Sequence, residues 1–229
     1  MNLINALQDY ENPNSLSSRF RRARARRIVE LIETIHARRG ACRILDLGGR
    51  TQYWRSLFEP GFLAAKGVHV TLVNSEGFAD DGDSMFEPVV GDACALPQFA
   101  DYSFDLAHSN SVVEHVGDWP RMEAFAAEHR RLAPAYYAQT PYFWFPIEPH
   151  FSAPFFHWRS EQARAKSLLK RRHGFVDRSA DMGEAMRAVQ HARLLDKSQF
   201  RHLFPDAAYP DEQVAGLTKS LVAIRTQVA

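Results

Sequence analysis

Apolar positions along the chain follow two periods, one typical of buried strands and one typical of helices that pack on a sheet. Short apolar runs predict six strands, at 43–47, 68–73, 88–91, 104–108, 135–139 and 217–224. Helical spacing, with caps and breakers at the ends, predicts helices at 17–39, 51–58, 118–132, 159–173, 179–194 and 197–203. Strands that alternate with helices in this way indicate a mostly parallel sheet with helices on its faces.

Polar residues and a glycine turn stand at the carboxyl ends of four successive predicted strands. They are Asp46 and Gly48, then Asn74, then Asp92, then Ser109 and Asn110. Because parallel strands end at one edge of a sheet, these groups are expected to lie together, where open α/β folds bind ligands. Singly, each polar group could cap a helix. Together they indicate a ligand that, like a nucleoside, needs several hydrogen-bonding partners. The G-x-G-x-x-G turn of dinucleotide-binding proteins is absent.

Composition and charge narrow the class of protein. The 229 residues, 45% hydrophobic and 24% charged, suit one α/β domain with its own core. The formal net charge of +1 gives no overall attraction to nucleic acid or to a membrane. Cys42 and Cys94 do not form a C-x-x-C pair, so reduced thiols and a cytoplasmic location are expected. The sequence shows neither a signal peptide nor an apolar run of the ~18 residues that a membrane helix needs.

The first predicted helix is rich in arginine between residues 19 and 27. A solvated basic face is the simpler interpretation, and an anion clamp for nucleic acid or for an acidic substrate is the alternative. Only Phe20 places an aromatic ring among the arginines, whereas surfaces that bind nucleic acid interleave the two residue types. We therefore expect that nucleic acid is not the partner.

Three stretches resemble the class I S-adenosylmethionine (SAM)-dependent methyltransferases. They are Ile-Leu-Asp-Leu-Gly-Gly at 44–49, Gly-Asp-Ala-Cys-Ala-Leu-Pro at 91–97, and 103–115, which begins Ser-Phe-Asp and ends Val-Val-Glu-His. The resemblance implies a Rossmann-like α/β fold with a seven-stranded, mostly parallel sheet, an antiparallel C-terminal strand and helices on both faces. It also implies a single domain over 1–229, with an N-terminal arm and helix at 1–40 and an aromatic cover over the active site at 141–175.

The same resemblance implies SAM as the cofactor and S-adenosylhomocysteine (SAH) as its product. The implied cofactor-binding residues are Asp46, Gly48 and Gly49 at the methionine part, Asn74 at the ribose, Asp92 and Ala93 at the adenine, and Ser109 and Asn110 on the sulfonium side. Two positions depart from the family pattern. Arg50 replaces the usual second glycine of the first motif, and Asn74 is neutral where an acid is usual, so Glu76 is an alternative partner for the ribose.

The segment after the fifth predicted strand combines aromatic residues with prolines and cannot form one regular element. The resemblance implies that this segment covers the acceptor. We expect contacts to the substrate from Tyr142, Trp144, Phe145, Phe151 and His157. Such aromatic walls suit a flat, apolar or cationic acceptor. Packing in the core, or a contact within a homodimer, would explain the same rings.

Acid–base chemistry has four candidates, namely Glu114, His115, Glu148 and His150. We expect His150, His115 and Glu148 to be catalytic, because histidine titrates near neutral pH and methyl transfer often requires removal of a proton. No spacing of histidine and acidic residues is typical of a metal site, so no metal is expected.

These patterns predict an enzyme that transfers a methyl group from SAM to oxygen or nitrogen of a small-molecule acceptor. A nucleic-acid methyltransferase that uses the arginine-rich helix is one alternative. It lacks support after the fourth strand, where Ser-Asn-Ser-Val replaces the Asn/Asp-Pro-Pro-aromatic loop of amino-methylating DNA enzymes. A non-catalytic binding subunit that keeps the fold is the other alternative.

Overall fold

The computed structural model describes residues 16–77, 82–148 and 150–227, with side chains from residue 23 onward, and these residues form a seven-stranded sheet. In chain order the strands are β1 (Cys42–Leu47), β2 (Val68–Asn74), β3 (Phe86–Val90), β4 (Leu106–Asn110), β5 (Ala135–Pro141), β6 (Glu212–Val214) and β7 (Leu217–Thr226). Their order in the sheet is β3-β2-β1-β4-β5-β7-β6. Strands β1 to β5 are parallel, whereas β7 runs antiparallel between β5 and β6. The predicted fold class is therefore confirmed.

The helices pack on both faces of the sheet. They are α1 (Leu16–Arg39), α2 (Thr51–Leu57), α3 (Phe62–Ala65), α4 (Trp119–Leu132), α5 (Glu161–Leu168), α6 (Met182–Gln190) and α7 (Lys197–Leu203). Alternate residues of a strand point to opposite faces, so Ile44 packs with α1 while Leu45 and Leu47 pack with α4 and α7. A third, smaller core joins α5 and α6 to Phe151 and Phe156. This satellite core belongs to the segment that follows β5.

Helix α1 buries one face against the sheet, as its apolar spacing predicts. Ile28, Ile32 and Ile35 are completely buried there. Among the arginines of this helix, Arg24 makes a two-pronged ion pair with Glu212 of β6, with distances of 2.7 and 2.8 Å. This pair ties α1 to the edge of the sheet and gives Arg24 a structural role. The side chains of residues 16–22, which include three of the predicted basic residues, lie outside the described part of the structure.

Several predicted boundaries need correction. Strand β4 begins two residues late and ends at Asn110, so Ser109 and Asn110 belong to the strand and do not follow it. The predicted helices at 159–173 and 179–194 shrink to α5 and α6. Helix α3 and strand β6 were not predicted, because four and three residues are too short to show a period. Within the described chain, none of the helices combines the length and the apolar content that crossing a bilayer requires.

Candidate active site

The strand ends form a row because the registers of β1, β2, β4 and β5 align them. Asp46 pairs with Leu72 on one side and with His108 on the other, so Gly48, Asn74 and Asn110 lie at the same level. Hydrogen bonds continue past the strands, since Gly48 N donates to Val73 O at 2.7 Å and Ser111 N donates to Gln139 O at 2.9 Å. The carboxyl edge predicted from the sequence is therefore a continuous surface.

The glycine turn after β1 is closely packed. Gly48 has a φ of +76°, in the left-handed region, and a Cβ there would lie 2.7 Å from Cγ2 of Val112. A Cβ on Gly49 would overlap the carboxylate of Asp46. Arg50, the departure from the family motif, caps the start of α2 in an extended conformation and is exposed. The glycines thus allow the turn to pack between β1 and the loop that follows β4.

Asp46 is almost fully buried and is satisfied by the protein itself. Its Oδ2 accepts a hydrogen bond from Nε1 of Trp54 at 2.6 Å, and its Oδ1 lies 2.7 Å from Nδ1 of His108. Trp54 belongs to α2 and His108 to β4, so this carboxylate ties the glycine turn to both neighbouring elements. The hydrogen bonds of Asp46 hold the glycine turn in place. A direct contact between Asp46 and the cofactor stays a prediction.

The other predicted cofactor residues differ in their burial and in the hydrogen bonds that they make within the protein. Asn74 donates to the carbonyl of Gly49 at 2.9 Å, which leaves its amide oxygen for a ligand. Asp92 binds both terminal nitrogens of Arg121, at 2.7 and 3.0 Å, and this hydrogen bonding lowers its pKa. Ser109 is buried inside the sheet, and Ala93 packs partly against the core. Glu76 is exposed.

Asn110 provides the test of whether a cofactor fits this edge. Its Oδ1 is buried and has no hydrogen-bond donor among the described residues. A buried acceptor without a donor costs about 1–3 kcal/mol, so such atoms are rare unless a ligand or water completes them. The orphaned oxygen at the end of β4, together with the carboxylate of Asp92, suits the amino groups of SAM. The residues present therefore fit SAM, the cofactor that the resemblance implies.

The three predicted catalytic residues form one hydrogen-bonded chain, which we call the Glu–His–His chain. Nδ1 of His150 contacts Oε1 of Glu148, and Nε2 of His150 lies 3.1 Å from Nε2 of His115. Nδ1 of His115 lies 3.0 Å from the carbonyl oxygen of His191. Glu148 is buried, whereas the two histidines are partly exposed. The structure thus brings together residues that are 33 to 35 positions apart in the sequence.

Hydrogen bonding fixes where the protons lie in the Glu–His–His chain. A carbonyl oxygen only accepts, so His115 carries its proton on Nδ1 and its Nε2 is an acceptor. Burial alone would lower the pKa of His150, but the carboxylate of Glu148 raises it above the ordinary value overall. Burial lowers the pKa of His115, and the nearby His150 lowers it further. The hydrogen bonds and these pKa directions together favour a carboxylate on Glu148, an imidazolium on His150 and a neutral imidazole on His115.

Glu114, the residue before His115 in the 3-10 helix Val113–His115 that follows β4, contacts the end of β5. Its Oε2 accepts from Oγ1 of Thr140 at 2.9 Å, while its Oε1 is buried without a partner in the described part of the chain. Burial raises the pKa of Glu114 to about 7. A carboxyl group that titrates near neutral pH beside two histidines is typical of a functional site.

Glu114→Gln should make the protein more stable at alkaline pH. The folded state favours the protonated carboxyl, so its stabilising effect is full below pH 4.5 and is lost as the pH rises from 4.5 to about 7. The loss amounts to about 3 kcal/mol. The variant lacks this loss, so urea unfolding should show it to be more stable than the wild type at pH 8 but not at pH 4.5. Exposed Glu59→Gln is the control, and equal pH profiles for all three proteins would contradict the prediction.

A cavity of about 310 Å³ lies between the segment after β5, the start of α4, and helices α5 to α7. Of the predicted site residues, Glu148, Phe151 and His157 line it. Tyr142 and Phe145 are partly buried outside its lining, and Trp144 is 54% exposed. Glu148 is shared, since it belongs both to the cavity wall and to the Glu–His–His chain.

Sequence reasoning missed the far wall of the cavity. Glu161 and Arg164 of α5 line it, as do Arg193 and Leu195 of the linker between α6 and α7. The only signal was the basic, helix-compatible stretch at 159–173. That signal could not indicate which of its basic residues faces inward, because no apolar stripe marks the buried face of so short a helix.

Comparison with known proteins finds a family model that matches part of the chain and solved structures with a similar fold. Residues 45–135 match the family model described as "Methyltransferase domain". Among curated proteins, none matches the sequence. The solved N-terminal domain of EvdMO1, in the presence of SAH and D-fucose, matches with a TM-score of 0.50 and 18% identity over 90% of this chain and 82% of that chain. A 1,6-didemethyltoxoflavin-N1-methyltransferase from Burkholderia thailandensis, with bound 1,6-didemethyltoxoflavin and SAH, matches with a TM-score of 0.47 and 15% identity over 86% and 77%.

The segment that matches contains the stretches at 91–97 and 103–115 and all of the stretch at 44–49 except Ile44, and the fold is similar to that of the EvdMO1 domain. The expected resemblance is therefore confirmed. Residues 45–135 are thus similar to a methyltransferase domain, and the seven-stranded sheet has the Rossmann-like fold of the solved EvdMO1 domain.

Proposed function

We propose that the protein transfers a methyl group from SAM to oxygen or nitrogen of a small-molecule acceptor. The observation that carries this proposal is the Glu–His–His chain, which lies at the carboxyl ends of β4 and β5 and contributes Glu148 to the wall of the cavity. A binding subunit without catalysis would have no need for a buried carboxylate that holds one imidazole protonated beside a second, neutral one.

The position of the Glu–His–His chain suits a proton acceptor near the transferred methyl group. His115 lies in the 3-10 helix Val113–His115, four residues after Ser111, whose backbone N–H donates to β5. Glu148 and His150 lie in the segment that follows β5. Both segments leave the sheet at the edge that carries Gly48 and Asn110, where ligands of open α/β folds bind.

The chemistry requires little covalent participation by the protein. SAM supplies an electrophilic methyl group, and its C–S bond breaks as the bond from carbon to the acceptor atom forms. The protein's part is to orient the acceptor, to exclude water and to receive the proton of an O–H or N–H group. We assign the proton to Nε2 of His115, the unprotonated nitrogen of the Glu–His–His chain, which accepts it in place of the hydrogen bond from His150.

Two measurements test the proposal together. Calorimetry with SAH should show binding, and labelled SAM should transfer its methyl group to the small-molecule fraction of a metabolite extract. Label that appears only in RNA, DNA or protein would contradict the small-molecule acceptor. Binding of SAH without transfer to any fraction would instead favour the non-catalytic subunit.

Asp92→Ala should weaken the binding of SAH about fivefold, equivalent to about 1 kcal/mol, through loss of an acceptor for the adenine amino group. The expected effect is small because the side chain of Asp92 is 46% exposed, so water can replace it. Asp101→Ala is a matched control, since Asp101 is also an exposed carboxylate paired with an arginine, Arg131, but lies outside the row of strand ends. Equal SAH affinities in both variants, measured by calorimetry, would remove Asp92 from the adenine site.

A further inference from the structure

The 310 Å³ cavity has the size of a site for a small organic molecule, at the lower end of the range of ligand pockets. Much of its lining is apolar, with Trp119 and Met122 of α4 on one side and Phe143, Phe151 and Leu195 on the others. The charged groups in its wall are Glu148, Glu161, Arg164 and Arg193. The state of these four groups decides which molecule fits.

Both carboxylates in the cavity wall already accept hydrogen bonds from other residues of the protein. Glu148 is bonded to the ring of His150 and to the backbone N–H of Phe151, at 2.8 Å from the latter. Glu161 accepts from Nε2 of Gln190 at 2.8 Å. Both ring nitrogens of His150 are hydrogen-bonded, Nδ1 to the carboxylate of Glu148 and Nε2 to the acceptor nitrogen of His115, so in this arrangement the charge of Glu148 is balanced by His150.

The side chains of Arg164 and Arg193, by contrast, make no hydrogen bond or ion pair with the described residues. Across the described part of the chain, no acceptor lies within hydrogen-bonding or ion-pairing distance of the guanidinium group of Arg164, and its Nε is buried. Glu161 and Glu148 act on it only from a distance, and burial lowers its pKa. The exposed side chain of Arg193 adds a second positive charge at the cavity. A desolvated cation without a partner is costly, so the guanidinium group of Arg164 is suited to bind an anion.

We propose that this cavity binds the methyl acceptor and that the acceptor carries a carboxylate or phosphate group, which Arg164 binds. This inference rests on the proposed function and adds the substrate class. The guanidinium fork matches the two oxygens of either anion. The aromatic and aliphatic wall contacts the body of the molecule, and the end away from Arg164 reaches Glu148, where the Glu–His–His chain begins. An acceptor bound in this way has its far end beside Glu148, the member of the Glu–His–His chain that lines the cavity.

Benzoate and phenyl phosphate are suitable probes, with benzyl alcohol as their neutral analogue. Binding to the full-length protein with SAH present would be followed by calorimetry or ligand-observed NMR. At least one of the two anions should bind the wild type, and the one that binds distinguishes a carboxylate from a phosphate site. Arg164→Gln should weaken that binding by about tenfold or more, the scale of a lost charged hydrogen bond, and should leave benzyl alcohol unaffected.

Two further variants control this experiment. Lys166→Gln removes a positive charge from the same helix at an exposed position and should change nothing. Arg164→Lys keeps the charge without the fork and should recover part of the affinity. The melting temperature of Arg164→Gln should be no lower than that of the wild type, because an unpaired, half-buried charge is removed. A large drop would assign Arg164 to the structure and overturn the proposal.

The outcomes separate this inference from the proposed function. Failure of both anions to bind, or equal effects of Arg164→Gln and Lys166→Gln, overturns the anionic acceptor even if SAH binds and methyl transfer proceeds. Binding of an anion that depends on Arg164, without any methyl transfer, supports the site and contradicts the proposed reaction.

Discussion

Replacing His115 by glutamine should lower kcat by about 10²-fold or more, the contribution of a general base. The affinity for SAH and the melting temperature should stay nearly unchanged, because His115 is partly exposed and glutamine can still donate to the carbonyl of His191. In the wild type, activity should fall as the pH drops through the lowered pKa of His115, since only the neutral imidazole accepts a proton. Glutamine does not titrate, so the variant should lack this fall.

His202→Gln is the matched control for this experiment. His202 lies on α7, its side chain is 66% exposed, and its nearest acid is Glu123, away from the Glu–His–His chain. The control should keep the wild-type kcat and the wild-type pH profile. If His115→Gln also retains both, the chain of Glu148, His150 and His115 is structural, and the proton of the acceptor leaves by another route.

Asp46→Ala should lower the free energy of unfolding by about 3 kcal/mol or more. The change deprives two buried donors, Nε1 of Trp54 and Nδ1 of His108, of their acceptor. Each orphaned buried group costs about 1–3 kcal/mol, and the cavity that remains adds to the loss. Urea unfolding followed by the fluorescence of tryptophan measures the effect.

A second variant, Asp46→Asn, helps to distinguish the effect of Asp46 on stability from its effect on the binding of SAH. The amide keeps the volume and one of the two acceptor positions, so it should lose roughly half as much stability as the alanine variant. If Asp46→Ala unfolds like the wild type but no longer binds SAH, the carboxylate acts on the cofactor directly, as the resemblance to the family implies. The positions of Trp54 and His108 would then not depend on it.

The sequence predicted the sheet and its ligand edge because both follow from local rules. Parallel strands end at one edge by construction, so Gly48, Asn74 and Asn110 could be placed in a row without coordinates. The N-cap at Asp118 is equally local, and the structure shows its side chain accepting from the backbone N–H of Arg121. Errors arose where a boundary depends on a neighbour, as in β4, whose start is set by pairing with Ile44 of β1.

Partners and unpaired charges could not be predicted in the same way. That His115 faces His150 follows from the paths of two irregular segments, which no period in the sequence encodes. The isolation of Arg164 is a property of everything around it, since a basic residue on a short helix is normally solvated. The sequence therefore supplied candidates for the Glu–His–His chain, and the tertiary structure supplied its order.

The position of β7 between β5 and β6 has a consequence for how the protein is made. All residues of β5 are buried, and β7 covers one of its edges. Roughly 75 residues separate the two strands, which takes roughly 4 to 15 s to translate at the usual rates. During that interval β5 presents an open, apolar edge to other nascent chains, the type of surface that promotes aggregation. Slow translation or a shortage of chaperones should therefore lower the soluble yield of this protein more than that of a sheet whose edges close in the order of synthesis.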